Sequence, residues 1–280
     1  MTIHRSSTTV LMISTGRTGT KFFAELLDVH YAQVKSHHAS RYSTLINVIS
    51  NANLMKILPV DILEGIWVLL KKGERLACRK PIYFDANNHL YALPYLAPRL
   101  YPNMKVIHII RDPRDYVRSH LGWALNRPKS HLANFWLPFW QPNGYLAGDM
   151  TRRQWSGLDM LERFSWIWLY KNRVIEKIKD GMTPFLQLKF ECFFRKFDID
   201  AYKELIQFIG LPFKGETLEE FQTPKNQSRR APFGRWPKWS DKQCAKLDRI
   251  CGEFMRKHDY GNERLWKEKV DRGYRLIESL

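Results

Sequence analysis

Two hydrophobic patterns alternate along the chain: short continuous apolar runs, and longer stretches in which apolar residues return every three or four positions. Residues 10–13 are four apolar residues bounded by small polar ones, the signature of a short strand buried on both faces. A glycine-punctuated turn follows, and then Phe22, Phe23, Leu26 and Leu27 recur at helical spacing. Residues 14–21 therefore sit where a strand hands over to a helix N-terminus. A short segment at 33–36 leads to His37 and His38, and residues 45–72 predict two helices separated near Leu58 and Pro59. Residues 81–87 predict a buried strand ending in a polar turn, where Asp85 and Asn87 are expected to serve the turn. Residues 106–110 predict the next strand, with Pro113 at the first position of the following helix. A long buried helix is predicted over 156–179, a strand over 185–190, and a helix over 202–211 that Pro212 closes. Ser240 is the predicted N-cap of a helix over 241–258, and 262–280 is a terminal amphipathic helix. Strands alternating with helices predict an α/β fold around a parallel sheet, with ligands at the carboxyl ends of its strands.

One segment resists this pattern. Residues 121–155 interleave Trp123, Phe135, Trp136, Phe139, Trp140, Tyr145 and Trp155 with Pro128, Pro138 and Pro142, too irregularly for one helix. A loop of that length is expected to be a lid or one wall of a pocket.

At 280 residues the chain is expected to form a single domain, 1–280. The formal net charge of +17 draws it to polyanions of any kind, so charge alone does not choose between nucleic acid, acidic glycan, membrane surface and a phosphorylated ligand. Cys78, Cys192, Cys244 and Cys251 contain no C-x-x-C pair, so neither a zinc site nor a disulfide framework is expected. No apolar run reaches membrane-spanning length and no signal-peptide core precedes residue 10. A soluble, cytoplasmic protein is the expectation.

The turn at 14–21 carries the first chemistry. Unpaired backbone N–H groups and the positive end of the helix dipole suit a phosphate there. Gly16 and Gly19 let the backbone close around an anion, Thr18 and Thr20 offer hydroxyls, and Arg17 and Lys21 add charge. The nucleotide triphosphatase loop G-x-x-x-x-G-K fails, because Thr20 follows Gly19, and the dinucleotide loop G-x-G-x-x-G fails as well.

What the string Gly16-Arg17-Thr18-Gly19-Thr20-Lys21-Phe22 resembles is the 5′-phosphosulfate loop of the sulfotransferase family. Further segments resemble parts of that family, and four motifs stand in its order between residues 14 and 236. Arg111, Asp112, Pro113, Arg114 and Asp115, with Ser119 eight residues after Arg111, resemble its 3′-phosphate motif. By that resemblance Arg111 forks onto the phosphate and Ser119 gives its hydroxyl, while Asp112, Arg114 and Asp115 fix the turn and the helix end. Residues 229–236 are similar to the family's R-K-G-x-x-G-x-W region, with Ala231 in place of its first glycine. Arg229, Arg230 and Ala231 would then close over the cofactor, and Gly234 and Trp236 shape the loop. Trp168 and Asn172 match a W-x-x-x-N pattern of the family, and Lys189-Phe190-Glu191 stands where the family has arginine, tyrosine and glutamate. At the end of the strand after the first helix, where many members carry a catalytic glutamate, this chain has His37 and His38.

The resemblance implies a three-layer α/β/α fold of the P-loop-like kind and 3′-phosphoadenosine 5′-phosphosulfate (PAPS) as sulfuryl donor, leaving PAP. A neutral histidine, His38 or His37, would take the acceptor's proton. Arg17 and the backbone N–H groups of 18–21 would hold charge on the sulfuryl and the departing phosphate. Phe22 would pack against adenine, and no metal is expected. The acceptor is a hydroxyl or amine of a small molecule or carbohydrate, with no specific nucleic acid and no membrane span. The loop at 121–155 then lies on the acceptor side. Two competing readings are a non-catalytic polyanion or RNA binder, for which the charge and aromatics speak, and a nucleotide-dependent kinase on a related fold.

Overall fold

Val10, Leu11, Met12 and Ile13 are each 1% exposed or less, because the strand that contains them is paired on both edges and covered on both faces. In the computed structural model, residues 8–38, 42–92, 103–125, 139–179, 181, 183–222 and 234–279 are described. The chain divides into two compact units, residues 1–110 with 171–226, and residues 111–170 with 227–280.

The first unit holds the sheet. Strand β1 (Thr8–Ser14) pairs in parallel with β3 (Ile82–Ala86) on one edge and β4 (Met104–Ile110) on the other. Strand β2 (Val34–His38) flanks β3 and β5 (Phe185–Lys189) flanks β4, giving the order β2-β3-β1-β4-β5 with every pairing parallel. Alternate residues of β1 face opposite layers. Val10 and Met12 pack with Phe22, Phe23, Leu26 and Leu27 of α1 (Thr20–His30) and with Tyr202, Leu205, Ile206 and Ile209 of a helix over Ile199–Ile209. Leu11 and Ile13 pack on the other side with Ile46 of α2 (Ser43–Leu54), Leu63 of α3 (Val60–Ala77) and Leu90 and Tyr91 of the 3-10 turn Asn88–Ala92. The predicted three layers with a central parallel sheet are what this unit contains.

The second unit contains α4 (Pro113–Leu125), α5 (Arg152–Gly157), the first half of α6 (Met160–Lys179) and, later in the chain, a helical pair over Asp241–Lys257 and Arg264–Glu278. The first unit adds α7 (Glu191–Phe194) and α8 (Ile199–Ile209), so the terminal pair is α9 and α10. Ser240 caps α9 as expected, accepting from the Gln243 N–H while the Gln243 side chain accepts from the Ser240 N–H. Among the described residues no helix is long and apolar enough to cross a membrane.

Two helix starts differ from the sequence reading by three residues or more. The helix expected from residue 156 begins at Met160, because two capping signals interrupt what hydrophobic spacing joins. Thr151 and Gln154 form a capping box on α5, and Asp159 and Glu162 exchange side-chain-to-backbone bonds of 2.9 and 3.0 Å that start α6 afresh. Helix α8 begins three residues earlier than expected, at Ile199, because Asp198 accepts from the N–H groups of Asp200 and Ala201. The irregular segment 121–155 is helical at both ends, in α4 up to Leu125 and in α5, and its residues 126–138 lie outside the described residues.

A buried cation holds the second unit together. The Arg114 side chain is 2% exposed and forks onto both carboxylate oxygens of Asp112 and both of Glu263. The guanidinium lies 4.6 Å from the ring of Trp236 and 4.9 Å from that of Trp266. Both carboxylates are thereby committed to it, and Glu263 titrates below its ordinary range despite partial burial. Removing the arginine strands a buried Asp112. We expect Arg114→Met to lower the unfolding free energy by about 3–5 kcal/mol. Glu263, whose side chain is 47% exposed, should cost only about 1 kcal/mol as Glu263→Gln. Urea unfolding of the two variants measures the difference, and equal losses would show that the pair does not carry the load.

Candidate active site at the carboxyl edge of the sheet

The turn after β1 is held from within. Ser14 Oγ accepts from the Gly16 N–H at 3.1 Å and from Thr18 Oγ1 at 2.6 Å. Gly16 and Arg17 both have left-handed backbone, φ 100° and 60°, and Gly19, at φ 79°, is the N-cap of α1. Turns of this kind line up neighbouring N–H groups around an anion. A Cβ on Gly19 would stand 2.5 Å from the ring of Phe194, so only glycine fits. No side chain of the N-cap residue caps α1, as is also so for α2, α7 and α10, whereas α5, α8 and α9 each have one on their first N–H groups. Thr15 Oγ1 is buried without a hydrogen-bond partner among the described residues. An uncapped helix start and an unsatisfied hydroxyl fit a phosphate held close to the backbone.

The side chains of this turn part company. Arg17 is half-buried, Thr18 and Thr20 are buried, and Lys21 lies on the exposed side of α1 with Glu25 at 3.4 Å. Phe22 is 5% exposed and packs edge-on to Phe194 and 4.7 Å from Phe221, which makes it an anchor of the first turn of α1.

On the same sheet edge lie both histidines, on successive residues of β2 and hence on opposite faces. His37 pairs with Asp85 in the ladder and its ring lies 5.5 Å from that of Tyr83. His38 pairs with Ala86, and its Nδ1 is 2.8 Å from the Ala86 carbonyl oxygen. A carbonyl only accepts, so Nδ1 carries the proton and Nε2 the lone pair. Burial lowers the His38 pKa below its ordinary value; the Ala86 bond and the carboxylates of Asp85 and Glu25 oppose this, and Lys21 reinforces it. Neutral His38 is therefore the prevailing form at neutral pH. Beyond β3, Asn87 performs the turn duty expected of it: its N–H donates to the Met12 carbonyl at 3.1 Å and its Oδ1 accepts from the His89 N–H at 2.9 Å.

Arg111 and Ser119 belong to the second unit. Arg111 is the first residue after β4, and the Trp168 Nε1–H donates to its carbonyl at 2.9 Å. Trp168, fully buried, thus fixes that strand exit as well as filling core. Ser119 lies on α4 and is half-buried, as Arg111 is. Asn172 of the same W-x-x-x-N string bonds His108 of β4 at 3.0 Å. Arg229, Arg230 and Ala231 lie outside the described residues. Gly234 and Trp236 are in place, the Gly234 carbonyl accepting from Trp239 Nε1–H at 3.0 Å.

Two polar residues escaped the sequence reading. His89 is pushed down to about 4, by burial first and then by Lys171 and His38. Lys171, 3% exposed, is pushed down to about 7 by burial. The signal was there for Lys171: it sits between Trp168 and Ile175 on the buried face of α6, where helical spacing calls for an apolar residue.

Gly19→Ala should lower stability by about 2–4 kcal/mol, from strain at positive φ together with overlap on Phe194. Phe194→Leu in the same chain should return part of that loss. A thermal-unfolding cycle measures both, and additive effects would separate the two positions.

The comparisons with known proteins follow the same line. A model of the sulfotransferase domain matches residues 7–257. The crystal structure of mouse sulfotransferase SULT7A1 complexed with PAP is 15% identical, with 96% of this chain and 89% of that one covered and a TM-score of 0.52. Sulfotransferase STF9 from Mycobacterium avium is 14% identical, over 91% of this chain and 78% of that one, with a TM-score of 0.45. No curated protein sequence matches the chain. The family match gives no support to the polyanion-binder or kinase readings. With nearly its whole length covered by that domain, the chain belongs to the sulfotransferase family.

Proposed function

We propose that this sulfotransferase uses PAPS as donor and transfers the sulfuryl group to a hydroxyl or amine of a small-molecule or carbohydrate acceptor, with His38 as general base. The observation that carries this reading is the uncapped, left-handed turn at 16–19 beyond the central strand, with a neutral imidazole on the same sheet edge. The mouse sulfotransferase named above was crystallised with PAP, the desulfated form of such a donor.

The residues divide the work as follows. The N–H groups of residues 17–20 and the Thr20 hydroxyl bind the 5′-phosphate, the Thr15 hydroxyl has a bond to spare for it, and Gly16 and Thr18 shape the turn through their bonds to Ser14. Arg17 adds a fixed positive charge where negative charge grows on the sulfuryl oxygens and the leaving phosphate as the S–O bond to the donor breaks. His38 Nε2 takes the proton from the acceptor as its oxygen or nitrogen bonds to sulfur, and the Ala86 carbonyl keeps the ring in the tautomer that can do so. His37, on the opposite face of β2 and against Tyr83, is left a packing role. Arg111, Ser119, Arg229 and Arg230, with the backbone at Ala231, are assigned to the 3′-phosphate on their motif positions.

A mass-shift screen of hydroxylated and amino acceptors with PAPS identifies a working substrate, and the variants are then compared on it. Arg17→Ala should reduce kcat/KM by about 100-fold or more with the unfolding midpoint unchanged. His38→Ala should reduce it by about 10²- to 10⁴-fold and His37→Ala by no more than a few-fold. Because burial lowers the His38 pKa, kcat/KM should fall only on the acid side of the ordinary histidine range and be level through neutral pH. An acid limb centred above about 6.5, or full activity in His38→Ala, would remove His38 from the role.

A further inference from the structure

Beside the proposed base lies a set of polar groups that the transfer reaction does not use. Lys171 enters the first unit from α6 and places its Nζ 4.8 Å from the centre of the Tyr91 ring. Among the described residues it has no carboxylate partner and no hydrogen bond, although it is 3% exposed. Asn87 is fully buried and its Nδ2 has no hydrogen-bond partner among the described residues. His89, two residues on, has a buried Nδ1 in the same condition. The three belong together: His89 takes its backbone turn from Asn87, and its imidazole feels the charge of both Lys171 and His38. Tyr91, over whose ring the ammonium sits, is on the same 3-10 turn as His89.

A buried cation with a ring but no anion, beside two buried atoms able to donate, is an incomplete arrangement. Each unmatched group carries a desolvation cost that a structural role would have removed by pairing or by an apolar side chain. An oxyanion within reach of them would match all three. We propose that Lys171 Nζ, Asn87 Nδ2 and His89 Nδ1 form an acceptor subsite that takes a carboxylate, so that the acceptor carries an anionic group near the hydroxyl or amine that is sulfated. This inference rests on the sulfotransferase reading for the identity of the neighbouring site. It goes beyond it in naming the charge of the acceptor.

The chemistry has a proton signature. The titratable groups facing Lys171 are His89 and Tyr91 of the 3-10 turn, with His38 at the end of β2 behind His89. None of them is a carboxylate. In the absence of ligand, burial brings Lys171 to about 7, so above neutral pH much of it is uncharged. A bound carboxylate favours the ammonium form and must draw a proton from solvent. Carboxylate affinity therefore declines as pH rises from 7 to 9.

The test uses the whole protein saturated with adenosine 3′,5′-bisphosphate, whose own binding is measured first and reports on the donor site alone. Calorimetry then compares matched probes that differ by a carboxylate, glucuronate against glucose and 4-hydroxybenzoate against 4-hydroxybenzyl alcohol. In the wild type at least one carboxylate should bind about ten-fold or more tighter than its uncharged mate. Its binding should take up protons between pH 7 and 9 in buffers of different ionisation enthalpy. Lys171→Met should erase the preference and the proton uptake, while adenosine bisphosphate binding and the thermal midpoint stay at or above the wild-type values. Lys171→Arg should retain the preference without the proton uptake. No preference in either pair, a preference that survives Lys171→Met, or binding without proton uptake overturns the proposal. Failure of adenosine bisphosphate to bind would instead overturn the donor assignment.

Discussion

The register of β1 against its two neighbours decides where all the chemistry of the first unit can be. Met12 stands opposite Ala86 on one side and Ile107 on the other, and Ala86 in turn stands opposite His38. Through those pairings β2 and β3 end at the same level of the sheet, and β1 runs two residues beyond it to Ser14. A slip of one residue in β1 would exchange Val10 and Met12 for Leu11 and Ile13 between the two cores, which their different partners do not allow. Hydrophobic packing on two faces thus holds a polar edge in place to within a residue.

Much of this was legible beforehand, for reasons that can be named. Residues 10–13 could only be a strand covered on both sides, and the glycines that follow announce a turn that needs left-handed backbone. Pro59, Pro113 and Ser240 mark helix boundaries because each acts through its own backbone or side chain, independently of tertiary context. The break at 158–159 was missed because Trp155 continues the apolar spacing of α6 across it. The signal that wins, Asp159 with Glu162, is a pair of hydrogen bonds that periodicity does not see. His38 could be singled out from His37 only with coordinates, since the distinction lies in which ring reaches a carbonyl on the adjoining strand. Phe22 shows another limit: the resemblance gives it a place against adenine, while its packing on the rings of Phe23, Phe194 and Phe221 could be named only from coordinates.

Arg114 and Lys171 are two solutions to burying a positive charge. Arg114 is matched by four carboxylate oxygens and flanked by two indoles; burial works against its charge, but the bonds to Asp112 and Glu263 outweigh it and leave the guanidinium more firmly charged than an exposed arginine. Among the described residues Lys171 has a phenol ring beside it and nothing negative, and burial takes it toward neutrality. The first arrangement is complete within the fold and serves the fold. The second, by the proposal above, is complete only with something added, and it lies beside His89.

The contact between Gly19 and Phe194 has a further consequence. The ring that stands where a side chain would be belongs to α7, directly after β5, so the anion turn is braced from behind by a part of the chain about 175 residues away. A brace of carbon atoms offers the turn no competing hydrogen bond and survives changes of pH and salt that would loosen an ionic one. The turn can thereby keep its curvature while empty, and a nucleotide held there as proposed would spend little of its binding energy on putting the backbone in order.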